Sequence, residues 1–241
     1  MTDLKERVLI VVPAWNEELS ISAVICQLRK ENYDVLVVDD GSTDLTRFVA
    51  INSGAVVASL PFNLGVGAAL RCGFKYAIQN GYTVAVQCDA DGQHPVEYIH
   101  KLLRTLVDND LDMVIGSRFL DKVGKMELSA IRRFAMLILA HSASRATKSK
   151  ITDATSGFRA IRSPLLNELS MKLPPYYLGD TYEALVSAGR AGYQVREIPA
   201  PLEERTHGKS SAHPIKAAKL SLKAILSVVL HVHQKFDEPK R

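Results

Sequence analysis

Short aliphatic runs, each closed by a polar turn, recur along the first half of this chain and restrict it to one broad class of fold. They are Arg7–Val12, Val35–Val38, Ala55–Leu60, Thr83–Cys88 and Met113–Ser117. Runs that are apolar throughout, without period-two alternation, belong to strands covered on both faces. Between them the apolar residues change to helical spacing, as in Ile21, Val24, Ile25 and Leu28, or in Ile99, Leu102, Leu103 and Leu106. Strand and helix in alternation predict an α/β chain built on a Rossmann-like, mostly parallel sheet flanked by helices, with its polar loops on one rim. A length of 241 residues, 47% of them hydrophobic and 23% charged, suits one domain with a C-terminal appendage.

In open sheets of this kind ligands sit outside the carboxyl ends of the strands. Four of these ends carry polar chemistry. The first run stops at Pro13-Ala14-Trp15-Asn16-Glu17-Glu18, and the second at Asp39-Asp40-Gly41-Ser42-Thr43-Asp44. Asp39 or Asp40 is placed to accept hydrogen bonds from a ribose or base edge; read locally, the same stretch is a glycine turn with Ser42 or Thr43 capping a helix. The fourth run ends in Asp89-Ala90-Asp91-Gly92-Gln93-His94-Pro95, whose Asp89 and Asp91 flank one residue on a tight turn. Both can aim oxygens at a single hard cation, with the Gln93 amide oxygen as a third donor, although an isolated Asp-x-Asp is more often a turn with a helix cap. The fifth run delivers Arg118 to the same rim. Asn63-Leu64-Gly65-Val66-Gly67 opens a helix and offers backbone N–H groups to an anion, but it is neither a Rossmann fingerprint nor a P-loop.

Beyond residue 120 the alternation loosens. Glu127–Thr147 reads as a long helix with Arg132, Arg133 and Arg145 beside an apolar face, a stripe that is either core or a lipid seat. Asp153–Ala160 reads as a loop entering a short strand. Within Tyr176–Ala191, Asp180 and Glu183 fall one helical turn apart. A strand over Gln194–Pro199 follows, then Pro214–Lys235, a basic amphipathic helix bearing Lys216, Lys219 and Lys223 that is either an interfacial anchor or packed on the domain. Residues 205–241 carry eight Lys or Arg against Asp237 and Glu238, so the net charge of +4 is a C-terminal property. That surplus lies on one helix without interleaved aromatics, which excludes a nucleic-acid partner. Cys26, Cys72 and Cys88 indicate neither a disulfide framework nor a cysteine zinc site. No signal-peptide core occurs near the N-terminus, and no apolar segment reaches the ~18 residues of a membrane span. A cytoplasmic location is expected.

Six motifs in order, Val12–Glu17, Val37–Asp44, Asn63–Gly65, Asp89–Pro95, Gly116–Arg118 and Asp153–Arg159, resemble the signatures of inverting family-2 glycosyltransferases. Within that family they are most similar to dolichyl-phosphate mannose synthases and bacterial polyprenyl-phosphate sugar synthases. The resemblance spans about residues 7 to 211 and implies a catalytic domain over 1–211 of the glycosyltransferase-A type, with residues 212–241 as helix and tail. It also implies roles. Pro13, Ala14, Asn16, Glu17, Asp39, Asp40, Asn63, Asp89 and Ala90 would hold the nucleotide sugar, and Arg205 with Lys209 would close over it. Asp89, Asp91 and Gln93 would hold Mg²⁺ or Mn²⁺, and Arg118 and Arg132 would meet an acceptor phosphate. One departure is Val66, where many relatives carry a lysine; Arg71 is a candidate substitute.

Inverting transfer to a polyprenyl phosphate needs no strong base, because a phosphate monoester with a second pKa of about 6 is already anionic near neutrality. Asp91 and Arg118 would then carry the chemistry through charge. A hydroxyl acceptor on a polysaccharide or glycolipid would need a carboxylate to take its proton, and Asp180 is the candidate. A reading from another class is a nucleotide-sugar-binding subunit without turnover. The expected setting is peripheral, on the inner face of a membrane, docked through the C-terminal helix and beside a small integral membrane protein.

Overall fold

All five aliphatic runs become strands in the computed structural model, which describes residues 6–120, 130–173, 179–201 and 235–239, with only the backbone of 130–132, 179 and 180. In order they are β1 (Val8–Ala14), β2 (Asp34–Asp39), β3 (Val56–Ser59), β4 (Val84–Gln87) and β5 (Met113–Ser117). The helices between them are α1 (Ile21–Lys30), α2 (Thr46–Asn52), α3 (Val66–Gln79) and α4 (Glu97–Asp108). After β5 come α5 (Ala130–Thr147), β6 (Arg159–Arg162), α6 (Leu165–Lys172), a π-helical turn over Gly179–Glu183, α7 (Ala184–Arg190) and β7 (Val195–Pro199).

The strands form one sheet in the order β3-β2-β1-β4-β6-β5-β7. Every pairing is parallel except those of β6, which runs antiparallel between β4 and β5. Side-chain parity divides the core. Leu9, Val11, Leu36, Val38 and Ile115 face α3, α5, α6 and α7, whereas Ile10, Val12, Val35, Val37 and Val114 face α1 and α4. Helices on both faces explain why these strands read as unbroken apolar runs. β3, at one edge, is the strand in which no residue is fully buried.

Three local features differ from the sequence reading. Neither Ser42 nor Thr43 caps α2; that helix starts at Thr46, whose N–H donates to Asp44 Oδ1 at 2.9 Å. The turn carrying Asp180 and Glu183 is π rather than α, so the three-residue spacing that puts two side chains on one α-helical face does not apply there. Helix α6 has no counterpart in that reading: Leu165, Leu166 and Leu169 are buried, but the element is only eight residues long.

The antiparallel insertion of β6 matters most for the site. Because β6 enters the sheet from the carboxyl rim of its neighbours, the loop before it, residues 153–158, lies across the ends of β4 and β5. Gly116 N–H donates to the Phe158 carbonyl at 2.8 Å, and Ser156 Oγ donates to the Gly116 carbonyl at 2.6 Å.

Candidate active site

The loops after β1 and β2 are fastened together. Asn16, at φ 55°, donates its N–H to Ser42 Oγ and accepts the Thr43 N–H on Oδ1, both at 2.9 Å. Asparagine tolerates this left-handed backbone better than most residues. Glu17 N–H donates to Thr46 Oγ1 at 2.8 Å, and Glu18 Oε2 accepts the Leu45 N–H at 2.9 Å. Asp44 accepts from Thr46 and Glu18. Burial works to raise its pKa, but these hydrogen bonds prevail and hold it below the ordinary 3.8.

The two neighbouring aspartates have separate tasks. Asp39 Oδ1 accepts the Ser42 N–H at 3.0 Å, while the two oxygens of Asp40 accept the N–H groups of Leu64 and Gly65, each at 2.8 Å. Asp40 therefore draws the Asn63–Gly65 loop onto the rim, next to Gly41, whose missing Cβ would lie 2.5 Å from the Phe62 carbonyl carbon. Ala14 is buried with its carbonyl accepting from Asp40 N–H, Pro13 is half-buried, and Asn63 is exposed. Arg71 stands in the second turn of α3, away from the helix start at Val66.

After β4, Asp89 and Asp91 stand in different settings. The Asp89 side chain is 40% exposed, whereas Asp91 is buried and its Oδ1 accepts the Gln93 N–H at 3.0 Å across Gly92, at φ 76°. Asp89 N–H donates to Nδ1 of the buried His94 at 2.9 Å. The His94 ring stacks on Phe158 with centroids 4.8 Å apart. Gln87 Nε2 lies 3.5 Å from Asp89 Oδ1, and Ala90 is buried in the apolar core. Burial and then the two aspartates push the Cys88 thiol upward, so it is not a thiolate donor. Among the described residues no three His, Cys, Asp or Glu side chains converge as a metal-binding group. The turn instead offers two carboxylates, a hard donor set of the kind Mg²⁺ completes with water and substrate phosphate oxygens.

Arg118 is held side-on by Asp153. Nε lies 2.5 Å from Oδ2, Nη2 lies 2.7 Å from Oδ1, and Nη2 also reaches Thr155 Oγ1 at 2.8 Å. Asp153 is fully buried and is itself set by Glu197 of β7, whose carboxylate accepts the N–H groups of Thr152 and Asp153 at 2.7 Å and the Thr152 hydroxyl at 2.8 Å. Burial raises the Glu197 pKa against those hydrogen bonds. Arg159, also buried, donates to the carbonyls of Ser156, Ala154 and Thr181, tying the loop to the π turn. Sequence reasoning named Arg118 but none of Asp153, Glu197 or Arg159 as individual participants; each has a partner 22 to 45 residues away, beyond the reach of local spacing. Arg205, Lys209 and all but the last residue of the helix expected over Pro214–Lys235 lie outside the described residues, as do the side chains of Arg132 and Asp180.

The architecture is that of the glycosyltransferase-A fold. Glucosyl-3-phosphoglycerate synthase of Mycobacterium tuberculosis, crystallised with Mn²⁺, uridine diphosphate and phosphoglyceric acid, superposes with a TM-score of 0.68 at 22% identity, over 93% of this chain and 78% of that one. The model for "Glycosyl transferase family 2" matches residues 9–170, so the chain belongs to that family and is a glycosyltransferase. The polyprenol monophosphomannose synthase of Mycolicibacterium smegmatis is 30% identical over 219 residues, 85% of this chain and 80% of that protein. The UDP-N-acetylglucosamine–dolichyl-phosphate N-acetylglucosaminyltransferase of Methanococcus voltae is 29% identical over 210 residues, 80% of this chain and 84% of its own length. Family membership sets aside a binding subunit without turnover. No helix among the described residues is long and apolar enough to cross a membrane.

Proposed function

We propose that this enzyme transfers a sugar, with inversion, from a UDP- or GDP-sugar to a polyprenyl phosphate at the inner face of a membrane. The carrying observation is the turn after β4, where the half-exposed Asp89 and the buried, turn-locked Asp91 present hard oxygen donors on the strand-end rim. Asp89, Asp91 and Gln93 would hold Mg²⁺ or Mn²⁺ there, and the cation would supply charge neutralisation at the leaving diphosphate. The fastened loops carrying Pro13, Ala14, Asn16, Glu17, Asp39, Asp40 and Asn63 would hold the nucleoside. Arg205 and Lys209 would close over the donor.

The names of the relatives support a polyprenyl phosphate as acceptor, and physical chemistry favours it. That acceptor is already a nucleophile, so the site has to orient it and tolerate its charge. Arg118, oriented by Asp153, is suited to the first task, with Arg132 as its companion. The C-terminal basic helix, and a small integral membrane partner, would bring the enzyme to the acceptor.

Incubation of the protein with labelled UDP- and GDP-sugars, polyprenyl phosphate in vesicles and Mn²⁺ should move label into a mild-acid-labile lipid. EDTA, or alanine at both Asp89 and Asp91, should abolish the transfer. Asp180→Asn separates the two acceptor classes: it should abolish transfer to a hydroxyl but reduce transfer to a phosphate only modestly, and loss of the phosphate transfer by orders of magnitude would count against a base-free reaction. With only two carboxylates, Mn²⁺ should bind weakly alone and much more tightly with UDP or GDP.

A further inference from the structure

We propose that His94 is a positioning residue that pre-sets the Asp89 carboxylate for its cation. This rests on the metal reading of the turn after β4. A buried histidine is ordinarily a core residue with its hydrogen bonds satisfied, and three observations separate His94 from that case.

The ring meets both ends of one residue. Its Nδ1 accepts the Asp89 main-chain N–H at 2.9 Å, which requires Nδ1 to carry no proton and assigns the ring hydrogen to Nε2. Nε2 faces Asp89 Oδ2 at 3.6 Å, longer than a hydrogen bond but close enough for the N–H dipole to orient the carboxylate. The ring is in turn fixed by the stack on Phe158, a side chain 1% exposed.

Two further neighbours flank the carboxylate, which stays 40% exposed. Gln87 Nε2 approaches Oδ1 at 3.5 Å. On the loop side stands Gly157, where an added Cβ would lie 3.5 Å from both Asp89 oxygens and 2.7 Å from Gln87 Nε2. The carboxylate thus has His94 on one oxygen, Gln87 on the other and a glycine where any side chain would press on Gln87. A partner that orients a metal-binding carboxylate lowers the reorganisation needed when the metal arrives, and losing such a partner typically weakens metal affinity about 10- to 100-fold.

Two substitutions divide the roles of the ring. His94→Asn keeps an oxygen acceptor near the Nδ1 position but removes the ring donor and the stack. His94→Phe keeps the stack and removes both polar contacts. Binding of Mn²⁺ in the presence of UDP, and separately GDP, is followed by the loss of the free Mn²⁺ electron paramagnetic resonance signal, with thermal unfolding measured alongside. The expected result is affinity lowered about 10- to 100-fold in His94→Phe and less in His94→Asn. Transferase activity should recover at saturating Mn²⁺, which a general loss of structure would not allow. Should His94→Phe fail to fold, a several-fold loss in His94→Asn with restoration by Mn²⁺ supports the proposal, and wild-type affinity in that variant overturns it. Wild-type affinity in a folded His94→Phe, or lost activity that no Mn²⁺ restores, overturns it too. Wild-type protein that binds no Mn²⁺ with either nucleotide overturns the metal reading itself, and this inference with it.

Discussion

Individual carboxylates in this site are distinguished by what their oxygens already hold. Arg118 shows why that matters for interpreting mutants. Its partner Asp153 is fully buried, so Arg118→Ala would leave a charge without its bidentate cation in the interior. Breaking such a pair from one side typically costs about 3–5 kcal/mol. We expect Arg118→Ala to lower stability in denaturant titrations by about the lower end of that range, since the arginine is itself partly exposed. Lost transfer in that variant alone would therefore not identify Arg118 as a phosphate ligand. Asp44 gives a pH prediction. Its folded pKa is below the ordinary 3.8, so its contribution to stability is present above the unfolded value and is lost as pH falls through the folded one. Stability measured against pH should show wild type above Asp44→Ala at neutral pH, with the two curves converging on the acid side. A constant gap down through that range would show that the Asp44 carboxylate does not fasten the loops after β1 and β2 through its charge.

Elements were legible where apolar patterning was strong or polar turns bounded them, but their pairing was not. The strands β1, β2, β4 and β5 announce themselves because they are covered on both faces, and α1 and α4 because four buried residues in each repeat at helical spacing. The short strand entered from the Asp153–Ala160 loop is legible as a strand, but eight-residue α6 is too brief for a pattern, and nothing local in Arg159–Arg162 says that this strand runs antiparallel between β4 and β5. Half of the site follows from that one insertion: Asp153, Gly157 and Phe158 reach Arg118, Asp89 and His94 only because β6 enters from the rim. The closeness of the insertion can be tested at Gly116, where an added Cβ would stand 2.6 Å from Phe158 Cδ1 and 2.8 Å from the Ala200 Cβ. Both neighbours are buried, so neither can swing into solvent. Gly116→Ala should cost about 1–3 kcal/mol as an overpacking change. It should also weaken Mn²⁺–nucleotide binding, because Phe158 is the surface on which His94 rests. A variant as stable as wild type would show that the loop over β5 is looser than the contacts indicate.

On the scale of the whole molecule, polar chemistry occupies one rim and residues 235–239 are held at the other. The family resemblance in the sequence ends near residue 211 and implies a boundary there between a catalytic part and a basic tail. Charge patterning gives no hint that the tail touches the body again. Phe236 nevertheless lies in the core cluster that contains Leu169 and Tyr193, and Asp237 N–H donates to Glu168 Oε2 at 2.9 Å. Lys172 of α6 reaches Glu168 at 2.8 Å and Asp237 at 3.5 Å. Burial, followed by Glu168, Asp112 and Asp237, pushes the Tyr193 phenol up to about 12. Asp112 and Tyr193 stand just before β5 and β7, so Phe236 seats at the amino ends of these strands, opposite the rim that carries the polar loops. Apolar burial should dominate this contact, because the Lys172 side chain is only partly buried, its second partner Asp237 is exposed, and partly solvated ion pairs contribute little. Phe236→Ala should therefore lower stability by about 3 kcal/mol, the low end for a buried phenylalanine, or about 6 to 12 °C in Tm for a domain of this size. Lys172→Ala should change Tm by far less. If instead Lys172→Ala matches Phe236→Ala, the contact is electrostatic, and its effect should then fade in high salt while that of a buried ring does not.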